Sequence, residues 1–314
     1  TLNFTIGCHP VAEQPDKTLF FERVAILGLG LIGGSLALAL KTTGVAQHVV
    51  AFDLDQTQLD LGLSSGVIDE WCESAADTVL EADLIVLAVP VMAVAKVLAE
   101  IKPVLQSKSI LTDVGSVKGY VLEAVEDVFG QVPENFVAGH PIAGSERHGV
   151  AASDEKLFNN HKVIITPLKS TNPEAVSAIE TMWQCTGASV VMMDPAHHDQ
   201  VLAQTSHLPH LLAYALIDTL SAQGDSLEIF EYAAGGLRDF SRIAASDPTM
   251  WRDIFRSNSD AVLSILNQYQ HELSTLQALI EDGDFDQLSA VFARSKKARD
   301  HFSEVLARRE TNKT

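Results

Sequence analysis

The sequence predicts a doubly wound α/β domain built on a parallel sheet, followed by an all-helical domain. Three observations carry that expectation. Short β-branched runs alternate with helical stretches from about residue 22 to residue 194, the pattern of a parallel sheet covered on both faces. After Asp194 the strand signals vanish and long helical periodicities take over. The first strand, at 24–27, runs into GLGLIGGS at 28–35, a glycine-rich turn that opens a helix near Leu31.

In order, the expected elements are a strand at 48–53, a helix at 54–64, a buried strand at 83–89 closed by Pro90, and a helix at 91–100. A strand at 109–113, a helix at 117–128 and a strand from Phe136 then deliver the chain to His140 on a loop. Strands at 162–166 and 188–193 flank a helix at 173–185. The second domain reads as helices at 207–223, 226–232, 250–281 and 285–309, with Gly283 dividing the last two and a loop at 234–244. The expected division is therefore a tail at 1–21, a dinucleotide-binding (Rossmann) domain at 22–194 and a helical substrate and dimerisation domain at 195–314. Long amphipathic helices with few connecting residues bury a face against a partner chain, so a homodimer is expected.

Composition narrows the function classes. A chain of 314 residues holds two domains with sizeable cores, and no apolar run in it is long enough to cross a bilayer. The net charge of −19 speaks against nucleic acid or an anionic membrane as partner. An anionic substrate must then be held by a few local basic residues, because the general acidity is screened beyond about 8–10 Å. Cys8, Cys72 and Cys185 are far apart and form no CxxC, so neither a disulfide framework nor a metal site is suggested. With no secretory pattern, a cytoplasmic location is expected.

The glycines have separate physical roles. Gly28 permits the tight turn, Gly30 lets backbone approach a pyrophosphate, and Gly33 lets helix and strand pack closely. The helix N-terminus adds unpaired N–H groups and partial positive charge. Asp53 ends the next strand, where a carboxylate accepts hydrogen bonds from the adenosine ribose hydroxyls and repels the extra phosphate of NADP; the competing reading is a simple turn cap. The expected cofactor is NAD, held by Gly28, Gly30, Leu31, Ile32, Gly33, Asp53, Val89 and Pro90.

The strand ends place Asp53, Pro90, Asp113 and His140 on the carboxyl edge of the sheet, where ligands bind in open α/β folds. DVGSVK at 113–118 points Ser116 and Lys118 toward the nicotinamide side, or makes Ser116 the N-cap of the next helix. GHPIAGSE at 139–146 sets His140 between glycines and beside Pro141, as an acid–base group near neutral pH. His207 and His210, in TSHLPH at 205–210, lie near one helical face as substrate contacts, caps or, least favoured, metal ligands. The adjacent His197 and His198 read as a solvated helix start. In GGLRDFSRIA at 235–244, Arg238 and Arg242 are candidates for carboxylate recognition, against an ion pair of either with Asp239.

Together, GLGLIGGS, DVGSVK, GHPIAGSE, TSHLPH and GGLRDFSRIA, in that order and across both domains, resemble the prephenate/arogenate dehydrogenase family of the tyrosine pathway, most of all its cyclohexadienyl dehydrogenases. The resemblance implies NAD-dependent oxidative decarboxylation of prephenate to 4-hydroxyphenylpyruvate, with arogenate as a further substrate. It implies His140 and Ser116 as catalytic residues, the first taking the ring hydroxyl's proton and the second orienting it. His210 with His207 behind it, Arg242, Ser145, Glu146 and Trp251 are implied as substrate-binding residues. It also implies a dimer formed through the helical domain and tyrosine, a product analogue, as an inhibitor. Two other readings are a β-hydroxyacid dehydrogenase, disfavoured because 201–223 has no lysine, and an NAD-binding sensor without turnover.

Overall fold

The computed structural model describes residues 21–145, 147–222 and 231–311. The chain divides into two compact units between His198 and Asp199.

The first unit is organised on a six-stranded parallel sheet. Its strands are β1 (Phe21–Leu27), β2 (Ala46–Phe52), β3 (Glu70–Trp71), β4 (Leu84–Leu87), β5 (Ile110–Asp113) and β6 (Phe136–Val137), in the order β3-β2-β1-β4-β5-β6. The strand order reverses beside β1, so the crevice at the carboxyl ends opens between β1 and β4. Helices α1 (Leu31–Thr42), α2 (Gln56–Ser64), α3 (Ala75–Thr78), α4 (Val94–Ile101) and α5 (Lys118–Phe129) connect the strands. Val24 and Ile26 enter one core with residues of α1 and α2, while Ala25 and Leu27 enter the other with residues of α4 and α5. Burial on both faces is why β1 reads as a continuous apolar run rather than an alternating one. Asp55 caps α2 by accepting from the Thr57 N–H, so that helix starts two residues later than the periodicity alone suggests.

The stretch after β6 departs from the expected single sheet. Strands β7 (Gly139–Ile142), β8 (Lys162–Ile165) and β9 (Ser189–Met192) form a second sheet, antiparallel between β7 and β8 and parallel between β8 and β9. His140 is therefore in a strand and not on a loop, paired across from Ile164 and buried. Pro141 fits because β7 is an edge strand, where a missing N–H leaves no ladder bond unmade. The helix at 173–185 is present as α6 (Pro173–Cys185), capped by Asn172 and packed through Ile179, Met182 and Trp183.

The second unit is helical, as expected. Helix Pro195–Leu202 leads into a π-helical turn, Ala203–His207, and then into helix Leu208–Ser221. The glycine-bearing segment expected as a loop is instead a helix, Gly235–Ser241, followed by a 3-10 turn, Arg242–Ala245. Its glycines fall at the helix start, where they do little harm. The expected helix at 250–281 is two, Pro248–Ser257 and Ser259–Glu281, broken at Asn258. Gly283, at φ +70°, turns the chain into the final helix, Phe285–Thr311. These last two helices leave Leu263, Leu273, Ile280, Phe285, Phe292 and Phe302 exposed. The expected helix at 226–232 lies largely outside the described residues, as do Glu146 and nearly all of the expected tail.

Candidate active site

The dinucleotide cradle is visible in the backbone. Gly28 has φ +103°, and a Cβ there would sit 2.5 Å from the Ala88 carbonyl oxygen. The turn out of β1 thus lies directly against the exit of β4, at Ala88 and Val89. At Gly33 a Cβ would lie 2.1 Å from the Gly28 carbonyl oxygen, so only glycine lets α1 rise from this turn. Gly30 is different, since a Cβ added there meets nothing within 4 Å. It is also the N-cap of α1, with no side chain capping the helix. The first-turn N–H groups, at Leu31, Ile32 and Gly33, have no carbonyl partner within the helix. These features fit a pyrophosphate.

Asp53 makes the turn contacts anticipated for it. Its Oδ2 accepts from the Leu29 N–H at 2.7 Å and its Oδ1 from the Asp55 N–H at 2.9 Å. Each oxygen retains a further lone pair, so the carboxylate is fixed beside the glycine turn and can still accept from ribose hydroxyls.

DVGSVK is a clamp as well as a wall. Lys118 is fully buried and is not exposed to the crevice; its ammonium donates to Asp113 Oδ2 and, at 2.6 Å, to the Gly139 carbonyl. Asp113 Oδ1 accepts from the Gly139 N–H at 3.1 Å, and Oδ2 accepts from the Gly115 N–H at 2.8 Å. The end of β5 is thereby pinned to the start of β7, which sets His140 just past the carboxyl edge. The cap of α5 is Val117, not Ser116, so the capping reading of Ser116 is set aside. Ser116 stands half-buried between Asp113 and the first turn of α5.

His140 Nδ1 lies 2.9 Å from His198 Nε2, with the two rings edge to face. His198 is fully buried, which corrects the reading of His197 and His198 as a solvated helix start. Asp194 caps the helix by accepting from the Ala196 and His197 N–H groups, and one helical step then turns His197 outward and His198 inward. Ser145 is exposed and lines a cavity of about 420 Å³ with Leu31 and Arg147, beside the first turn of α1.

In the second unit, His207, His210, Trp251 and Arg242 come together. The His210 ring stacks on Trp251 at 3.8 Å between centroids, and His207 meets the same indole edge-on at 6.0 Å. His207 is buried in the π-helical turn, a geometry frequent at functional sites, and Asn258 Nδ2 donates to its Nδ1. His210 donates from Nδ1 to the Ser206 carbonyl at 2.8 Å, leaving Nε2 as an acceptor. Burial holds the His210 imidazole below its ordinary 6.5; the Ser206 carbonyl pulls the other way, and the nearby Arg242 charge adds to the lowering. Tyr214 ties this helix to the end of the Arg242–Ala245 turn by donating to the Ser246 carbonyl at 2.7 Å. Arg238 pairs with its neighbour Asp239, both well exposed. The Trp251 indole N–H is buried without a partner among the described residues.

A parallel sheet of this order, with an open glycine at a helix start and a carboxylate just past the second strand, defines a dinucleotide-binding domain. The chain belongs to the prephenate dehydrogenase family: residues 36–192 match that family's nucleotide-binding domain and residues 194–294 its dimerization domain. The cyclohexadienyl dehydrogenase of Zymomonas mobilis is 38% identical over 89% of this chain and 95% of its own length. The prephenate dehydrogenase of Bacillus subtilis is 36% identical over 89% of this chain and 76% of its own. Among solved structures, prephenate dehydrogenase from A. aeolicus in complex with hydroxyphenyl propionate and NAD+ matches with a TM-score of 0.84 at 34% identity, covering 91% of this chain and 99% of that one.

Proposed function

We propose that this chain catalyses the NAD-dependent oxidative decarboxylation of prephenate to 4-hydroxyphenylpyruvate and carbon dioxide, with arogenate as a second substrate giving tyrosine. The observation that carries the reading is His140, fixed by the Asp113–Lys118 clamp just past the carboxyl edge of a dinucleotide-binding sheet. Gly28, Gly30, Leu31, Ile32, Gly33, Asp53, Val89 and Pro90 would hold NAD, which would supply the hydride acceptor for oxidation of the ring carbon bearing the hydroxyl.

His140 Nε2 takes the hydroxyl proton as that carbon is oxidised, and Ser116 orients the hydroxyl toward it. The ring carbonyl so formed draws in the electron pair of the bond to the ring carboxylate, carbon dioxide leaves, and the ring becomes aromatic. Arg242 binds a substrate carboxylate, while His210, with His207 behind it, contacts the substrate and Trp251 presents a flat apolar wall. Ser145 and Glu146 contribute to substrate binding. The enzyme thus supplies a base, an orientation and a charge clamp, and aromatisation supplies the driving force. The active form is a homodimer joined through the second unit, tyrosine competes with substrate as a product analogue, and the setting is the cytoplasm.

Steady-state rates with prephenate and arogenate, each with NAD and NADP and with or without tyrosine, test the reading. Reduced cofactor should form together with 4-hydroxyphenylpyruvate or tyrosine, and with NAD far better than with NADP. Failure of both cyclohexadienes to reduce either cofactor sinks it.

A further inference from the structure

We infer that His198 is a positioning residue for the reaction: its Nε2 accepts from His140 Nδ1 and so sets the tautomer in which His140 works as the base. The inference rests on the function proposed above, which decides the direction of the bond; the contact between the two rings stands independently of it.

A neutral imidazole carries one proton on two nitrogens, and the hydrogen bond at one of them decides which nitrogen is bare. Two ring nitrogens 2.9 Å apart need a single proton between them. If His198 donated from Nε2, His140 Nδ1 would be the bare atom and its Nε2 would already hold a proton, useless for taking another. With His198 Nε2 bare, His140 holds its proton on Nδ1 and offers Nε2 to the substrate hydroxyl. Once His140 has taken that proton, its Nδ1–H donates from a cation to a neutral acceptor, and hydrogen bonds of that kind are the stronger ones. A His198 protonated on both nitrogens would instead aim a second donor at Nδ1, so the relay needs His198 neutral as well as in place.

The topology shows why the pair exists. Ile164 of β8 lies between His140 of β7 and Val191 of β9, and β9 ends just before the Asp194 cap of the helix that carries His198. The second, small sheet therefore carries His140 on one side of β8 and delivers His198 from the other, across 58 residues of sequence. The fully buried ring has few rotamers left to it, which makes it a fixed acceptor.

Two variants and one spectrum test this. In His198→Gln the amide oxygen can still accept from Nδ1–H, whereas in His198→Leu nothing can. Expected are a kcat for His198→Leu lower by roughly ten- to a hundredfold, a part of the ~10²–10⁴ that general base catalysis contributes in full, and recovery of most of that loss in His198→Gln. The Michaelis constant for NAD should stay near that of the wild type in both. Independently of activity, nitrogen-15 NMR of histidine-labelled protein should show His140 protonated on Nδ1 in the wild type and shifted toward the Nε2-protonated form in His198→Leu. Equal kcat in both variants, or an unchanged His140 tautomer in His198→Leu, overturns the inference. A wild type inert toward prephenate and arogenate but carrying the expected tautomer would overturn the function and leave the positioning intact.

Discussion

The ammonium of Lys118 lies against the carboxylate of Asp113 with both side chains almost wholly removed from water. It reaches on to the Gly139 carbonyl, so one lysine joins the end of β5 to the strand that carries His140. Replacing Lys118 with Met leaves the Asp113 charge buried and uncompensated, which costs about 3–5 kcal/mol. Chemical denaturation should show that loss, and adding Asp113→Asn to Lys118→Met should return part of it. Additive losses in the double variant would mean that the two residues act separately.

Two glycines of one motif should fail in different ways. Gly33→Ala meets backbone at 2.1 Å and should lower stability by roughly 1–3 kcal/mol, toward the upper end because a carbonyl cannot step aside. Gly30→Ala has open space before it and should melt like the wild type while losing NAD affinity, since the new methyl occupies the room left for the pyrophosphate. Thermal melts paired with NAD titrations separate the two. Normal NAD affinity in Gly30→Ala would remove that glycine from the cradle.

Arg242→Gln should raise the Michaelis constant for prephenate by about tenfold or more, the scale of a lost hydrogen bond to a charged group, while leaving that for NAD unchanged. Arg238→Gln should do little, because Arg238 is paired with Asp239 at an exposed position. Equal effects of the two substitutions would contradict the assignment of the carboxylate to Arg242.

His210 makes stability depend on pH with a definite sign. Its folded-state value is below the ordinary 6.5, so as pH falls the unfolded chain takes up this proton first. The contribution is fully present above 6.5 and is lost as pH drops from there through the lower folded value. Unfolding free energies of wild type and His210→Gln, compared between neutral and mildly acidic pH, should show the wild type losing more. Parallel curves would mean that the imidazole is not held neutral by its surroundings.

Much of this was legible in the sequence, because the motifs that carry it are local. The β1 turn, α1, Asp53 and α6 depend on neighbours in the chain, and glycine spacing and caps reveal them. His198 was hidden for the opposite reason. Whether it or His197 faces inward is set by where Asp194 starts the helix and by β7, and β7 is distant in sequence. Likewise, Pro141 beside glycines imitates a loop until the antiparallel pairing with β8 is known. The burial of Lys118 needs the partner carbonyl of Gly139, which lies 21 residues away. The helix at Gly235–Ser241 defeats a reading based on glycine content, since the position of glycine within a helix matters more than its presence.

The exposed phenylalanines and leucines of Ser259–Glu281 and Phe285–Thr311 have a last consequence. With two copies joined there, as proposed, only the folded chain takes part in the association, so mass action adds to its stability. Dilution then behaves as a mild denaturant of the helical unit. Enzyme at the low concentrations used for rate measurements should melt earlier, and lose activity sooner on standing, than the same enzyme kept as a concentrated stock.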